Sequence, residues 1–267
     1  MVPIPPSIYF GGCAYGSCYY VGVYRAMQEI WGTDFASKTL ITGDSAGIVL
    51  VIGIALQYSP DFLGQLYYNT GNANPWGLFD KDPMRALDEH TLQRLIKGNE
   101  DTYKKLNQKI KIGGSTFPAT HYWKDSWSSD KELLQTMRNS LYVPFISHRR
   151  YHTPYEGREV VDGAFCLTGK DLVDGDLTLY IGTNKGADIY TELTWKQKTF
   201  PNRKHDYIEL EERGYKSFMT WVAGGGVVKK KVGVKQANLM IQCLLWSLKG
   251  LESFLFKGVF ASCFGKS

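Results

Sequence analysis

The chain has 267 residues, 43% of them hydrophobic and 21% charged, which excludes a disordered, collagen-like or coiled-coil chain and leaves one large folded domain or one domain with an appendage. The formal net charge of +5 is uneven: residues 1–228 hold 24 basic and 25 acidic side chains, whereas residues 229–267 hold seven Lys and one acid, Glu252. A neutral body with a +6 tail excludes the whole-surface basic field that drives nucleic-acid binding.

In chain order, the proline-rich start MVPIPP lacks the basic region of a signal peptide. Ser7-Ile8-Tyr9-Phe10 then reads as a short apolar strand running into a small-residue turn, Gly11 to Ser17. Val21, Val23, Tyr24, Met27 and Ile30 predict a helix over 19–31. The same grammar repeats, with a strand at 39–42, the tight turn Gly43-Asp44-Ser45-Ala46-Gly47 and an almost wholly apolar helix at 48–57. Strand, turn and helix twice over predict an α/β fold with a parallel sheet.

Beyond this, 69–76 reads as loop, 82–97 and 99–110 as amphipathic helices, and 111–123 as a strand pair. A helix at 129–139, an extended run at 141–146 and a short strand at 159–161, ending in Asp162-Gly163-Ala164, follow. A strand at 177–181 and a helix at 208–221 complete the body. The five cysteines (Cys13, Cys18, Cys166, Cys243 and Cys263) show neither CxxC nor zinc-ligand spacing, and N-x-[ST] is absent. The expectation is a reducing, cytoplasmic setting with no metal and no cofactor. The charge-free stretches 1–24 and 45–60 are too broken or too short to span a membrane.

Gly43-Asp44-Ser45-Ala46-Gly47 fits G-x-S-x-G in the strand-to-helix context that lifts a serine above a sheet edge, with a plain glycine-flanked turn as the alternative. The Gly-rich turn at 11–17 presents backbone N–H groups at a helix N-terminus, where an oxyanion is stabilised. It is not a P-loop, since no Lys-Ser/Thr follows, and a dinucleotide turn stays only as a minor alternative, since no acid clearly ends a second strand. For the proton of Ser45, His205 is a nominal triad member in a polar, solvated run, and His90, His121, His148 and His152 have no fitting context. Asp162, followed by two small residues, suits direct contact with Ser45, whereas Asp174-Gly175-Asp176 reads as a β-turn.

The Gly-rich turn, G-x-S-x-G some 30 residues later and D-G-[AG] more than 100 residues after that together resemble the patatin-like acyl hydrolases. The similarity is strongest to the adipose triglyceride lipase and adiponutrin group, through Phe10-Gly11-Gly12-Cys13, Tyr19-Tyr20-Val21-Gly22-Val23, Lys131-Glu132-Leu133-Leu134, Tyr142-Val143-Pro144-Phe145 and Glu159 to Ala164. The resemblance implies a three-layer α/β sandwich with a mainly parallel central sheet and a serine nucleophile on a strand-to-helix elbow. It implies a Ser45/Asp162 dyad without histidine, an elbow flanked by Gly43 and Gly47, and a D-G-A motif completed by Gly163 and Ala164. The backbone of Gly12, Cys13, Ala14, Tyr15, Gly16 and Ser17 would form the oxyanion site. The implied reaction is hydrolysis of glycerolipid esters through an acyl-serine intermediate. Transfer to another acceptor, or lipid binding with little hydrolysis, are the alternatives. Ala14 and Ser17 stand where the group has Gly, which narrows the backbone angles available to the oxyanion turn.

After Gly224-Gly225-Gly226, Lys229, Lys230, Lys231 and Lys235 precede an apolar segment at 237–248 and further apolar positions to Phe260. Ile241, Leu244, Leu245, Leu248, Leu251 and Leu255 share one helical face. Residues 229–267 are therefore expected either to lie in an anionic membrane or droplet interface or to pack as a terminal helix on the 1–228 body.

Overall fold

The computed structural model describes residues 2–77, 82–97, 101–116, 120–143, 153–167, 169–183, 185–201 and 203–231. Among these residues, eight strands form one sheet: β1 (Ser7–Phe10), β2 (Leu40–Gly43), β3 (Ile110–Thr116), β4 (Thr120–Lys124), β5 (Thr153–Tyr155), β6 (Arg158–Val161), β7 (Thr178–Gly182) and β8 (Ile189–Tyr190). The order is β5-β6-β3-β2-β1-β7-β8, with β4 also on β3. β3, β2, β1, β7 and β8 run parallel, and β4, β5 and β6 supply the antiparallel pairs. The mainly parallel α/β architecture expected from the sequence is the one observed.

The helices are α1 (Cys18–Trp31), α2 (Gly47–Ala55), α3 (Pro60–Ala73), α4 (Pro83–Leu87), α5 (Gln93–Ile96), α6 (Thr102–Leu106), α7 (Asp130–Ser140), α8 (Trp195–Thr199) and α9 (Lys204–Ala223). Alternation along β1 and β7 separates two cores, as the pleat requires. Ile8, Phe10, Leu179 and Ile181 join the large cluster under α1, α2, α3 and α9, while Tyr9 and Tyr180 face a small cluster closed by Leu167, Leu172 and Ala187. The second face is thus covered by short 3-10 turns (Gly163–Phe165, Gly169–Asp171, Gly175–Leu177) rather than by long helices.

Several boundaries differ from the sequence reading. The loop expected at 69–76 is mostly the end of α3, whose N-cap Ser59 accepts from the Phe62 N–H and which buries Leu63, Leu66 and Tyr67. The helix expected at 82–97 forms as α4 and α5 joined through a π-helical turn, Asp88–Leu92. That expected at 99–110 shrinks to α6, because Gln108 takes φ +63° and turns the chain into β3. Leu141–Val143 forms no strand, and the rest of that run, 144–146, lies outside the described residues. Helix α9 is longer than expected; its first turn is capped by Asp206, whose carboxylate accepts from the Arg203 N–H at 3.0 Å.

Candidate active site

The elbow turns between β2 and α2, and Ser45 sits at its tip with φ +48°. A left-handed backbone at a residue with a Cβ costs of order 1–3 kcal/mol and persists only where the surroundings enforce it. Here the Asp44 N–H donates to Phe10 O (3.2 Å), the Gly47 N–H to Asp44 O (2.9 Å) and the Ser45 N–H to Ser140 Oγ (3.0 Å). A Cβ at Gly47 would lie 2.2 Å from Phe10 O, so only glycine lets α2 begin this close to the end of β1.

Register explains how Asp162 reaches Ser45 across 117 residues. Ile112 pairs with Gly43 of β2 on one edge of β3 and with Lys124 of β4 on the other. Ser115 and Thr116 pair with β4 and also with β6, so β6 occupies the edge that β2 vacates where it ends. Asp162, the residue after β6, therefore emerges beside the elbow. Its Oδ2 accepts from Ser45 Oγ at 2.6 Å, and its Oδ1 from the Ala164 N–H at 2.8 Å. Its own N–H donates to Tyr142 O, and Gly163 O accepts from Ser115 Oγ. A Cβ on Gly163 would stand 2.5 Å from Gly113 O, so the turn can approach β3 only as glycine. Burial pushes the Asp162 carboxyl up to about 7, against the downward pull of the Ser45 and Ala164 hydrogen bonds.

The glycine-rich turn lies against the same serine. A Cβ on Gly12 would fall 3.0 Å from Ser45 Cβ and 2.8 Å from Ala164 Cβ. Ala14 adopts φ +49°, accepting the conformation that glycine takes without strain. Among the described residues the N–H groups of Cys13 and Ala14 donate no hydrogen bond, whereas the Gly16 N–H is tied to Cys13 O. The expectation that every residue from Gly12 to Ser17 serves as a donor is corrected for Gly16. Ser17 is the helical N-cap of α1, and its hydroxyl bonds Ala14 O. Burial pushes the Cys13 thiol up to about 12, which leaves it un-ionised.

Ser45 and Ala14 open onto a cavity of about 90 Å³, walled by Val49, Tyr67, Leu87 and Leu141 among others and overwhelmingly apolar. Tyr67 also fixes the elbow from that side, donating from its hydroxyl to Ala46 O. Such a chamber beside a hydroxyl fits an alkyl chain better than a polar group. Sequence reasoning missed these walls and missed Ser140, because nothing local to α3 or α7 signals a neighbour some 25 or 95 residues away.

No histidine among the described residues bonds Ser45. His205 is exposed and pairs with Asp206, and burial lowers His121 to about 4, so it stays neutral; His148 and His152 lie outside the described residues. Also among the described residues, no group of three or more His, Cys, Asp or Glu could hold a metal ion, and no helix is long and apolar enough to cross a membrane. Of the four lysines expected to face lipid, Lys229 and Lys230 are exposed and Lys235 lies outside the described residues. Lys231 is a correction: it is 5% exposed and its ammonium is paired with Asp188 at 2.5 Å.

No family model and no curated protein matches the chain. Among solved structures, it is similar to VipD from Legionella pneumophila, with a TM-score of 0.54 and 10% identity over 83% of this chain and 67% of that one. A second match, the type III effector protein ExoU, has a TM-score of 0.44 and 9% identity, and this chain spans about half of its length (84% of this chain, 53% of that one). At such identities the likeness to VipD is one of fold.

Proposed function

We propose that the chain is a patatin-like serine acyl hydrolase that cleaves carboxylic esters of glycerolipids with Ser45 as nucleophile and Asp162 as general base. The observation that carries this reading is the 2.6 Å hydrogen bond from a strained, elbow-borne Ser45 Oγ to a buried carboxylate of raised basicity. The sequence resemblance to the adipose triglyceride lipase and adiponutrin group supports it, as does the apolar cavity at Ser45.

In the proposed reaction Asp162 takes the Ser45 proton as Oγ bonds to the ester carbonyl carbon. The carbonyl π electrons move onto oxygen, where the Cys13 and Ala14 N–H groups receive the developing charge. Collapse breaks the bond to the glycerol oxygen, which leaves with the proton from Asp162, and Ser45 keeps the acyl group in the apolar cavity. Water then attacks, Asp162 accepts its proton, and collapse releases the fatty acid while the proton returns to Ser45 Oγ. Residues 232–267, with Lys229, Lys230 and Lys235 at their base, would bring this site to an anionic lipid surface.

The test is a fluorophosphonate probe on the wild type and Ser45→Ala, beside a panel of triacylglycerol, phospholipid and monoacylglycerol substrates. Labelling and fatty-acid release are expected from the wild type alone. Equal labelling of the two proteins would remove Ser45 from the reaction, and the panel assigns the lipid class.

A further inference from the structure

The residue between Gly43 and Ser45 is a second buried carboxyl that the dyad does not use. Asp44 is 0% exposed, and its Oδ2 accepts from the Tyr9 hydroxyl at 2.6 Å. Its Oδ1 has no hydrogen-bond partner among the described residues; the Gly12 N–H is close enough to favour the ionised form without meeting Oδ1 in hydrogen-bond geometry. Among the described residues no Lys, Arg or His pairs with it. The Asp44 side chain is pressed against the turn that carries Asp162, since a Cβ on Gly163 would lie 2.6 Å from Asp44 Cβ. Both carboxyls are therefore buried, close enough to repel each other and without a cation partner among the described residues, and a second negative charge there is far costlier than a neutral acid.

Hydrogen bonding decides which of the two ionises first. Asp162 accepts from Ser45 Oγ and the Ala164 N–H, one donor on each oxygen, whereas Asp44 has the Tyr9 hydroxyl on Oδ2 and beside it only the Gly12 N–H, which does not meet Oδ1 in hydrogen-bond geometry. We propose that Asp44 holds a proton at neutral pH and acts as a positioning residue for the dyad: while it is neutral, Asp162 carries the site's single negative charge, and its ionisation at alkaline pH stops attack by Ser45. Ionised Asp44 would put a second negative charge next to the turn that carries Asp162 and so oppose the further negative charge that develops at Ser45 during attack. The catalytic part of this inference rests on the Ser45–Asp162 reading; the location of the proton does not.

The other titratable groups facing Asp44 do not change charge in the intervening range. Tyr9 and Tyr20 are driven well above the usual phenol range by burial, and Cys13 is pushed up to about 12. His121, whose Nε2 and the Asp44 Cβ both crowd the vacant side of Gly113, stays neutral above about 4. Tyr180 of β7 packs against Tyr9 with ring centroids 5.0 Å apart. The rate of ester cleavage should then be bell-shaped in pH, with an acidic limb belonging to Asp162 and an alkaline limb belonging to Asp44.

The experiment is the pH profile of kcat/KM for wild type, Asp44→Asn and Tyr9→Phe, with a difference infrared spectrum of wild type minus Asp44→Asn taken above the Asp162 midpoint. The amide oxygen of Asn can still accept from Tyr9, so the variant keeps the contact and loses only the proton. The wild-type rate should fall tenfold per pH unit on the alkaline side. That limb should disappear in Asp44→Asn and move to higher pH in Tyr9→Phe, which loses the donor favouring ionised Asp44, while the acidic limb stays in place. The infrared difference should contain one protonated-carboxyl C=O band. An alkaline limb unmoved in both variants, or the absence of that band, overturns the proposal; should Asp44→Asn fail to fold, Tyr9→Phe alone decides by whether the limb moves. If the band is present but the wild type neither hydrolyses ester nor labels with fluorophosphonate, the Ser45–Asp162 reading fails while the proton on Asp44 stands.

Discussion

At the Asp162 carboxyl, burial and hydrogen bonding act in opposite directions, and burial wins: the group titrates at about 7 instead of near 4. As the proposed base it would work only when ionised, so the rate should rise with pH through about 7. For stability the sign is reversed. A carboxyl whose folded value is raised contributes stability that is complete below roughly pH 4, its unfolded value, and is lost as pH climbs through about 7. Asp44, raised by burial and by Asp162, adds to the loss in the same direction. Asp162→Asn removes this pH dependence at one site along with the base. Turnover should drop by about 100- to 10,000-fold, while the variant's Tm advantage over wild type grows between pH 5 and pH 8. Calorimetry at the two pH values checks it, and a Tm difference that shrinks with pH would contradict the burial argument.

Among the elements of the described residues, the crossing of α1 and α9 holds the largest helical contact. It depends on two glycines facing each other's backbone: a Cβ on Gly22 would lie 1.8 Å from Glu211 O, and one on Gly214 1.9 Å from Tyr19 O. Around them Arg25 reaches Glu211, and Trp31 packs edge-on against Phe218 at 5.1 Å. Gly214→Ala must push the helices apart, and overpacking of this kind costs about 1–3 kcal/mol. Urea unfolding should show that loss, whereas fluorophosphonate labelling of the folded fraction should persist, because Ser45 is held by β2, α2 and Ser140 rather than by α9. The same elements show why parts of the chain were not legible. The end of α3, with Thr70, Gly71, Asn72 and Asn74 around it, has loop composition and is helical through the face it buries. Strand β8 is two residues long and exists only because β7 offers an edge.

For the molecule as a whole, the first three residues of the basic run belong with the sheet. Residues 229–231 are fastened to the sheet: the Lys229 N–H donates to Asp188 Oδ1, the Lys231 N–H to Asp176 Oδ1, and the Lys231 ammonium to Asp188 Oδ2. Asp188 in turn accepts from the Tyr180 N–H, so this strap is joined to β7, next to the strand that feeds the glycine-rich turn. Breaking a buried ion pair by removing one partner costs about 3–5 kcal/mol. Lys231→Met should therefore destabilise the body by roughly that amount, as should truncation after residue 228, while truncation after residue 231 should leave unfolding by urea unchanged. Equal stability of the two truncations would show that the strap contributes nothing. Loss of vesicle binding in the longer truncation would assign lipid contact to residues 232–267.

The sequence by itself determined the strand-turn-helix repeat, the elbow with Ser45 at its tip and the neutral body, while Asp162 as the partner of Ser45 was only a candidate that the resemblance implied. These are written in local patterns, because apolar periodicity, small residues at turns and Gly on both sides of a serine act over a few residues. Tertiary structure alone decided the remainder. Strand β6 takes the edge of β3 beyond the end of β2, and that register, set by β4 on the opposite edge, delivers Asp162 to Ser45. The Ser140 anchor, the walls of the apolar cavity, the loss of Gly16 as a donor and the withdrawal of Lys231 from the basic run all arise from partners far away in the chain. Burial is a property of the packed molecule, and it alone turns Asp44, which reads in sequence as an ordinary acid in a turn, into a carboxyl enclosed beside the dyad.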